Sequence, residues 1–296
     1  MTERKYRYFT CDVFTQEMFG GNQLAVVMDA VGIRPEEMLA LAREFRFSET
    51  TFVLPPRDPR NAAHVRIFTP GGELPFAGHP TVGTAFVLAT MGRVPMTQSD
   101  IVLEEGVGPV VVRIDRLGAR INRCTLTAAQ LPAQAATAPE RDALARLLSL
   151  PTVGVIDGAE IWSCGVPFLT VPLLSVDALA RCKPNLDEWK TLASFESSKV
   201  YAVAPVDESN WRVRMFAPDL GVPEDAATGS AAAAFAGWLA KRSPGGDGTT
   251  RVTLHQGQEM GRPSQLALSF DQRGGHVTAV RVGGFSVMVT DGTLYL

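Results

Sequence analysis

Four cysteines in 296 residues, Cys11, Cys124, Cys164 and Cys182, stand far apart, with no CxxC pair and no ligand-like grouping. That spacing speaks against a redox dithiol or a thiolate metal centre and fits reduced thiols in a cytoplasmic protein. Histidine is as scarce, and His64, His255 and His276 lack metal-ligand spacing, so no metal site is expected. No apolar run approaches the ~18 residues of a spanning helix, and the opening stretch MTERKYRYFTCDVF has no signal-peptide core. The expectation is a soluble, cytoplasmic chain with no membrane partner. Net charge is only −3, without a block of one sign or a basic stripe studded with aromatics, which argues against a nucleic-acid partner. Gly106-Val107-Gly108 lacks the third glycine and following helix of a dinucleotide fingerprint, and no phosphate-binding loop occurs.

What is present is a core and a repeat. Hydrophobic residues make up 46% of the chain, as suits a globular enzyme. Two stretches organise the rest: residues 65–89, VRIFTPGGELPFAGHPTVGTAFVLA, and residues 213–240, VRMFAPDLGVPEDAATGSAAAAFAGWLA. Each is a short strand ending in Phe-x-Pro, then an acidic loop, a glycine with a polar neighbour (Gly78-His79, Gly229-Ser230), and an apolar, Ala-rich helix. Such a turn leaves the first N–H groups of the helix unpaired, and the aligned peptide dipoles add about half a positive charge. Each is therefore an anion site. Ligand sites favour crevices between domains, so the two turns are expected to be the walls of one active site.

Other segments echo in the same order. Residues 21–27, GNQLAVV, are answered by residues 165–171, GVPFLTV. A helix expected over 35–45, with Met38, Leu39, Ala42 and Phe45 on one face, is answered by one over 186–195. The strand before Pro55 is answered by the strand before Pro205, and LEEG at 103–106 by LHQG at 254–257. The separations, roughly 144 to 151 residues, imply two lobes of like fold. Strands are also expected at 8–14, 24–28, 101–103 and 110–114. The fold class is α+β, each lobe a curled, mostly antiparallel sheet around a central helix; small side chains at 231–236 would let that helix nest inside its sheet. Residues 1–115 form the first lobe, joined by one or more strands from 277–296. Residues 116–276 form the second, with 116–150 as the crossover.

Glu49 is the leading candidate for chemistry. It lies between an apolar helix end (Phe45, Phe47) and an apolar strand (Phe52, Val53, Leu54), where burial would raise a carboxyl pKa toward the range of a useful acid–base. Aligning the strands before Pro55 and Pro205 matches Ser48-Glu49 with Ser198-Lys199, so only one lobe carries the carboxylate. A structural role would more naturally be shared, although a helix-terminal Glu or a buried salt-bridge partner fits the same pattern. His79 opens the first helix and could bind substrate, carry a proton, or belong to the cap. Asp225, Thr228 and Ser230 around the second turn are residue types of ordinary caps worth about 1 kcal/mol each. The match of Thr228-Gly229-Ser230 to Ala77-Gly78-His79 gives them a functional reading as well.

The segments FGGNQLAVV, FSETTFV, FAGHPTVGTA, EDAATGSAAAA and HQGQEMGRPS together resemble the PhzF-like isomerases, the phenazine-biosynthesis family, over nearly the whole chain. That resemblance implies a diaminopimelate epimerase-like fold of two lobes with a cleft between them, a homodimer, and catalysis without cofactor or metal. It implies that Glu49 moves a proton between carbons while His79, Asp225 and Ser230 hold the substrate. It further implies substrate contacts from Gly78, Thr228, Gly229, Asn22 and Gln256. Gln23 and Ala226 stand where the family usually has proline, which alters loop stiffness more than chemistry. Epimerases of the same fold place a cysteine before each glycine of the paired turns; here Ala77 and Thr228 occupy those places, which disfavours two-thiol racemisation.

The preferred expectation is a cofactor-independent isomerase acting on a small carboxylate-bearing metabolite, with Glu49 as general acid and base in the inter-lobe cleft. Two rivals stand beside it. One is a hydrolase with a Ser230–His79–Asp225 triad, although Thr-Gly-Ser-Ala is not a nucleophile elbow. The other is a two-lobed small-molecule-binding protein without turnover.

Overall fold

The computed structural model describes residues 4–195, 197–243 and 246–296; the first three residues of the N-terminal stretch lie outside the described residues. The chain divides into two compact units. One runs to Ala129 and takes back Gly283–Leu296; the other is Gln130–Val282. The division falls after residue 129, not 115, because residues 116–150 are no bare crossover. They hold the end of one strand, two further strands and a helix.

The first unit contains β1 (Lys5–Val13), β2 (Asn22–Val27), α1 (Pro35–Phe45), β3 (Glu49–Leu54), β4 (Ala63–Thr69), β5 (Gly72–Leu74), α2 (Gly78–Thr90), β6 (Asp100–Glu105), β7 (Gly108–Leu117) and β8 (Arg120–Thr127). The second contains β9 (Ala133–Thr137), α3 (Arg141–Leu147), β10 (Glu160–Ser163), β11 (Pro167–Pro172), α4 (Val176–Arg181), α5 (Leu186–Trp189), β12 (Val200–Pro205), β13 (Asn210–Ala217), β14 (Val222–Asp225), α6 (Gly229–Arg242), β15 (Gly248–Gln256), β16 (Ser264–Arg273) and most of β17 (His276–Gly284). The last strand, β18 (Ser286–Tyr295), pairs antiparallel with β1 and so completes the first unit.

The repeat legible in the sequence is a repeat of topology. In the first unit the ladder runs β18–β1–β2–β3–β4–β6–β7, with senses antiparallel, antiparallel, parallel, antiparallel, parallel and antiparallel. In the second, β9–β10–β11–β12–β13–β15–β16 follow the same order of senses. Short β5 and β14 hang antiparallel on β4 and β13. Both units are of the expected α+β class.

Register makes the residue correspondence concrete. Ala25 pairs with Thr50 and Leu169 with Val200, which aligns Glu49 with Lys199. Ile67 pairs with Leu74 and Met215 with Asp225, which aligns Leu74 with Asp225. Ala63 pairs with Leu103 and Trp211 with Leu254, which aligns Glu105 with Gln256.

Each sheet wraps one helix. Every residue of α2 from Gly78 to Ala89 is buried, packed against β1, β2, β3, β6, β7 and β8. The close approach depends on Gly83, where a Cβ would come within 2.6 Å of a Leu24 methyl and 2.7 Å of a Val13 methyl. In α6 the alanines 231–234 and Ala236 are buried, and Gly237 lies under the Trp162 ring. Helix α1 forms as expected, with Pro35 in the first turn and Glu37 reaching back to the Arg34 N–H at 2.8 Å. Its buried face is Met38, Leu41 and Ala42, with Leu39 and Phe45 at the margin. The helix expected over 186–195 is instead the single turn α5 followed by a 3-10 segment, Lys190–Ser194. Asn185 Oδ1 caps the start of that turn, accepting from Asp187 N at 3.2 Å. Among the described residues no helix is long and apolar enough to cross a membrane.

Candidate active site

In the first unit Asn22, Glu49 and His79 come together from three elements. Asn22 is the first residue of β2, Glu49 the first of β3, and His79 the second of α2. Since β2 and β3 are parallel, with Leu24 opposite Glu49, both strands begin at the same end, where α2 also begins. Glu49 thus starts a strand instead of closing the preceding helix, which ends at Phe45. Its Oε2 lies 3.3 Å from His79 Nε2, with the carboxyl side chain 15% exposed and the imidazole 4%. On the other side of the ring, Asn22 Nδ2 is 3.2 Å from Nδ1. The Asn22 amide and the Glu49 carboxyl thus stand at opposite edges of the ring.

Burial pushes the His79 pKa down to about 3, against a backbone hydrogen bond with Gln23 that raises it. The ring is therefore neutral near pH 7. Its contact with Glu49 is between a carboxyl and a neutral imidazole, not a charge pair. A neutral, buried ring packed beside a partly exposed carboxyl can restrict that carboxyl's orientation without neutralising it. No side chain caps α2 at Ala77, and its first turn carries no acidic residue, so its N–H groups and dipole remain available to an anion.

In the second unit Asp225 ends β14 and is buried, Thr228 precedes α6, and Gly229 and Ser230 open that helix. Gly229 is buried and Ser230 half-buried. The Asp225 carboxylate accepts from Thr228 Oγ1 at 2.6 Å. Gln256, fully buried at the end of β15, holds both: its Nε2 donates to Asp225 O at 2.9 Å and Thr228 Oγ1 at 3.0 Å, and its Oε1 accepts from Thr228 N at 3.1 Å. The Gln256 amide thus braces the turn from within. Thr228 is not a side-chain cap of α6, because its hydroxyl turns to Asp225. Asp225 Oδ2 takes the Thr228 hydroxyl, and the His79 ring nitrogens lie 3.2 Å from Asn22 and 3.3 Å from Glu49.

The four cysteines are buried and unbridged. Burial pushes the thiols of Cys124, Cys164 and Cys182 up to about 12 and that of Cys11 still higher, so none is a nucleophile near neutral pH. Among the described residues no group of three or more His, Cys, Asp or Glu side chains could hold a metal ion.

Sequence reasoning passed over two residues beside the first turn. Thr81 Oγ1 lies 2.7 Å from both Ala77 O and Glu105 Oε1, and Glu105 is 6% exposed. The signal was present in the repeat, where Glu105 matches Gln256.

Comparison with known proteins agrees with this fold. The family described as phenazine biosynthesis-like protein matches residues 11–292. An uncharacterized isomerase of Mesorhizobium japonicum is 41% identical over 98% of each chain. The trans-2,3-dihydro-3-hydroxyanthranilate isomerase of Pseudomonas aeruginosa is 36% identical, with 98% of this chain and all of that one covered. Among solved structures, a PhzF-family phenazine biosynthesis protein of Bacillus anthracis superposes with a TM-score of 0.87 over 98% of this chain and 99% of that one, at 24% identity. With a family match spanning nearly the whole sequence and relatives of this similarity over their full length, the chain belongs to the phenazine biosynthesis-like protein family.

Proposed function

We propose that this protein is an isomerase that moves a proton between carbons of a small carboxylate-bearing metabolite, with Glu49 as the general acid and base. The observation that carries the reading is the Asn22–His79–Glu49 chain at the open start of α2. It exists in one unit only, since Lys199 stands at the matching place in the other. Support comes also from the relatives, which are isomerases by name.

In the proposed step the Glu49 carboxylate takes a proton from carbon, and the electron pair delocalises into an adjacent conjugated system. The same carboxyl then returns the proton to another carbon on that face, so atoms and charge balance without an oxidant. His79 orients the carboxyl and holds substrate. The helix-start N–H groups at Gly78 and at Gly229–Ser230 bind the anionic substrate and meet charge as it develops. Asp225 and Ser230 are proposed to hold substrate polar groups, with Thr228 and Gln256 keeping that turn in shape. The functional unit is proposed to be a cytoplasmic homodimer, which sedimentation of the purified protein checks for assembly.

The test uses trans-2,3-dihydro-3-hydroxyanthranilate as probe, in heavy water. Wild-type protein should exchange a carbon-bound proton for deuterium as it isomerises the probe. Glu49→Gln should lower the rate by about 10²–10⁴-fold, with an unchanged fold. Wild-type-like turnover in that variant would remove Glu49 from the reaction.

A further inference from the structure

Glu105 is buried at the end of β6, and the reading above gives it no task. Its surroundings contain one donor too few for an ionised carboxylate. Thr81 Oγ1 is 2.7 Å from Ala77 O and 2.7 Å from Glu105 Oε1, but a hydroxyl has a single hydrogen. If Glu105 is ionised, Thr81 must donate to one oxygen and leave the other facing a lone pair. If Glu105 carries the proton, both contacts are satisfied in series: Glu105 O–H donates to Thr81 Oγ1, and Thr81 O–H donates to Ala77 O. The other carboxyl oxygen, Oε2, is buried with no hydrogen-bond partner, an arrangement far less costly for a neutral acid than for an anion.

The repeat points the same way. Gln256 occupies the matching place in the second unit, and its neutral amide braces the turn before α6. The following residues match as well: a Cβ on Gly106 would come within 2.7 Å of Pro75 Cα, and one on Gly257 within 2.7 Å of Ala226 O. In both units the strand end is pressed against the loop that leads into the central helix. Ala77, at the end of the Thr81 relay, immediately precedes Gly78 and His79.

We propose that Glu105 is a positioning residue, a neutral acid that fixes the entry turn of α2 and with it His79, doing in the first unit what the Gln256 amide does in the second. Burial pushes its pKa up to about 8, opposed only by the Thr81 hydroxyl. The ionisable groups on the elements packed against it are His64 and Arg66 on β4, Arg113, Asp115 and Arg116 on β7, and His79 on α2. None of these is among the interactions acting on the carboxyl. Ionisation above that range breaks the donor series and leaves the Ala77 carbonyl with only its backbone bond from Thr81 N, so the turn loosens and site geometry is lost on the alkaline side.

The inference rests on the reading of His79 as a site residue, and its test needs no substrate. In full-length protein carrying ¹⁵N-histidine, the His79 ring signals are followed from about pH 6 to about pH 10. They should shift with a midpoint near 8 in wild type and in Glu49→Gln, and stay constant in Glu105→Gln, where the amide supplies the missing donor. A shift that survives in Glu105→Gln, that vanishes in Glu49→Gln, or that is absent from wild type overturns the proposal. Should Glu105→Gln fail to fold, infrared spectra of the wild type decide. A protonated-carboxyl band at about pH 7 that fades by about pH 10 is expected, and no such band refutes it. Failure of the isomerase reading would appear as absent proton exchange on the probe with the His79 shift intact, so the two outcomes are separable.

Discussion

Replacing Glu105 by glutamine should flatten the dependence of the first unit's stability on pH. The folded carboxyl has its pKa raised to about 8, whereas in the unfolded chain it titrates at about 4.3. Between those values the folded protein keeps a proton that the unfolded chain has released. The contribution is therefore fully present below the unfolded pKa and is lost as pH rises through the folded one. The slope is about 1.4 kcal/mol per pH unit, and over the whole interval it reaches about 5 kcal/mol, a large share of the ~5–15 kcal/mol that holds a domain folded. Glutamine has no such slope, so it should match wild type near about pH 5 and surpass it by a few kcal/mol near about pH 8.

The choice of probe matters. All four tryptophans, Trp162, Trp189, Trp211 and Trp238, lie in the second unit, so their fluorescence does not watch α2. Native-state amide exchange of the α2 backbone does, with tryptophan fluorescence as an internal control. Parallel pH dependences for wild type and Glu105→Gln would mean that the carboxyl is already ionised in the folded state. The donor series and the positioning role would then both fail.

Two further outcomes follow from packing and charge. Arg214 is buried, with paired 2.7 Å bonds to Glu224 and 3.0 Å bonds to the Leu179 and Cys182 carbonyls. Arg214→Met should therefore destabilise the second unit by about 3–5 kcal/mol in urea unfolding followed by tryptophan fluorescence, and Arg214→Met with Glu224→Leu should recover most of the loss. A single-variant loss within ±0.5 kcal/mol would show the pair to be no better than a surface contact. Gly83→Ala should destabilise the first unit by about 1–3 kcal/mol despite alanine's better helix propensity. The added methyl meets Leu24 and Val13 inside 2.8 Å, and a stabilised variant would show that the sheet gives way there.

The two units share a ladder but not a chemistry. At matched register positions the first carries Glu49, Leu74 and Glu105, and the second Lys199, Asp225 and Gln256, while His79 and Ser230 each stand second in the central helix. A duplicated frame supplies two helix starts suited to anions. Divergence then gives one of them a carboxyl beside a neutral imidazole and the other a braced aspartate. Burial pushes down the pKa of Lys199, the residue at the place matching Glu49.

By itself the sequence determined the repeat, the α+β class, the two Ala-rich helices and the identity of Glu49, His79 and Asp225 as residues worth watching. All of these rest on local signals: alternation along strands, glycine before a helix, matching segments at near-constant separation. Tertiary structure decided what those signals could not carry. Glu49 meets His79 and Asn22 because three elements far apart in the chain begin at one end of a parallel strand pair. Gln256 braces a turn, and Thr228 binds Asp225 instead of capping its helix, because a β-strand from later in the chain lies behind that turn. Glu105 figured in the sequence only as part of the LEEG–LHQG match; its burial against α2, with one hydroxyl hydrogen between two oxygens, sets it apart. Residue types and spacing are written in the chain, but who shares a proton with whom is settled by which strands end side by side.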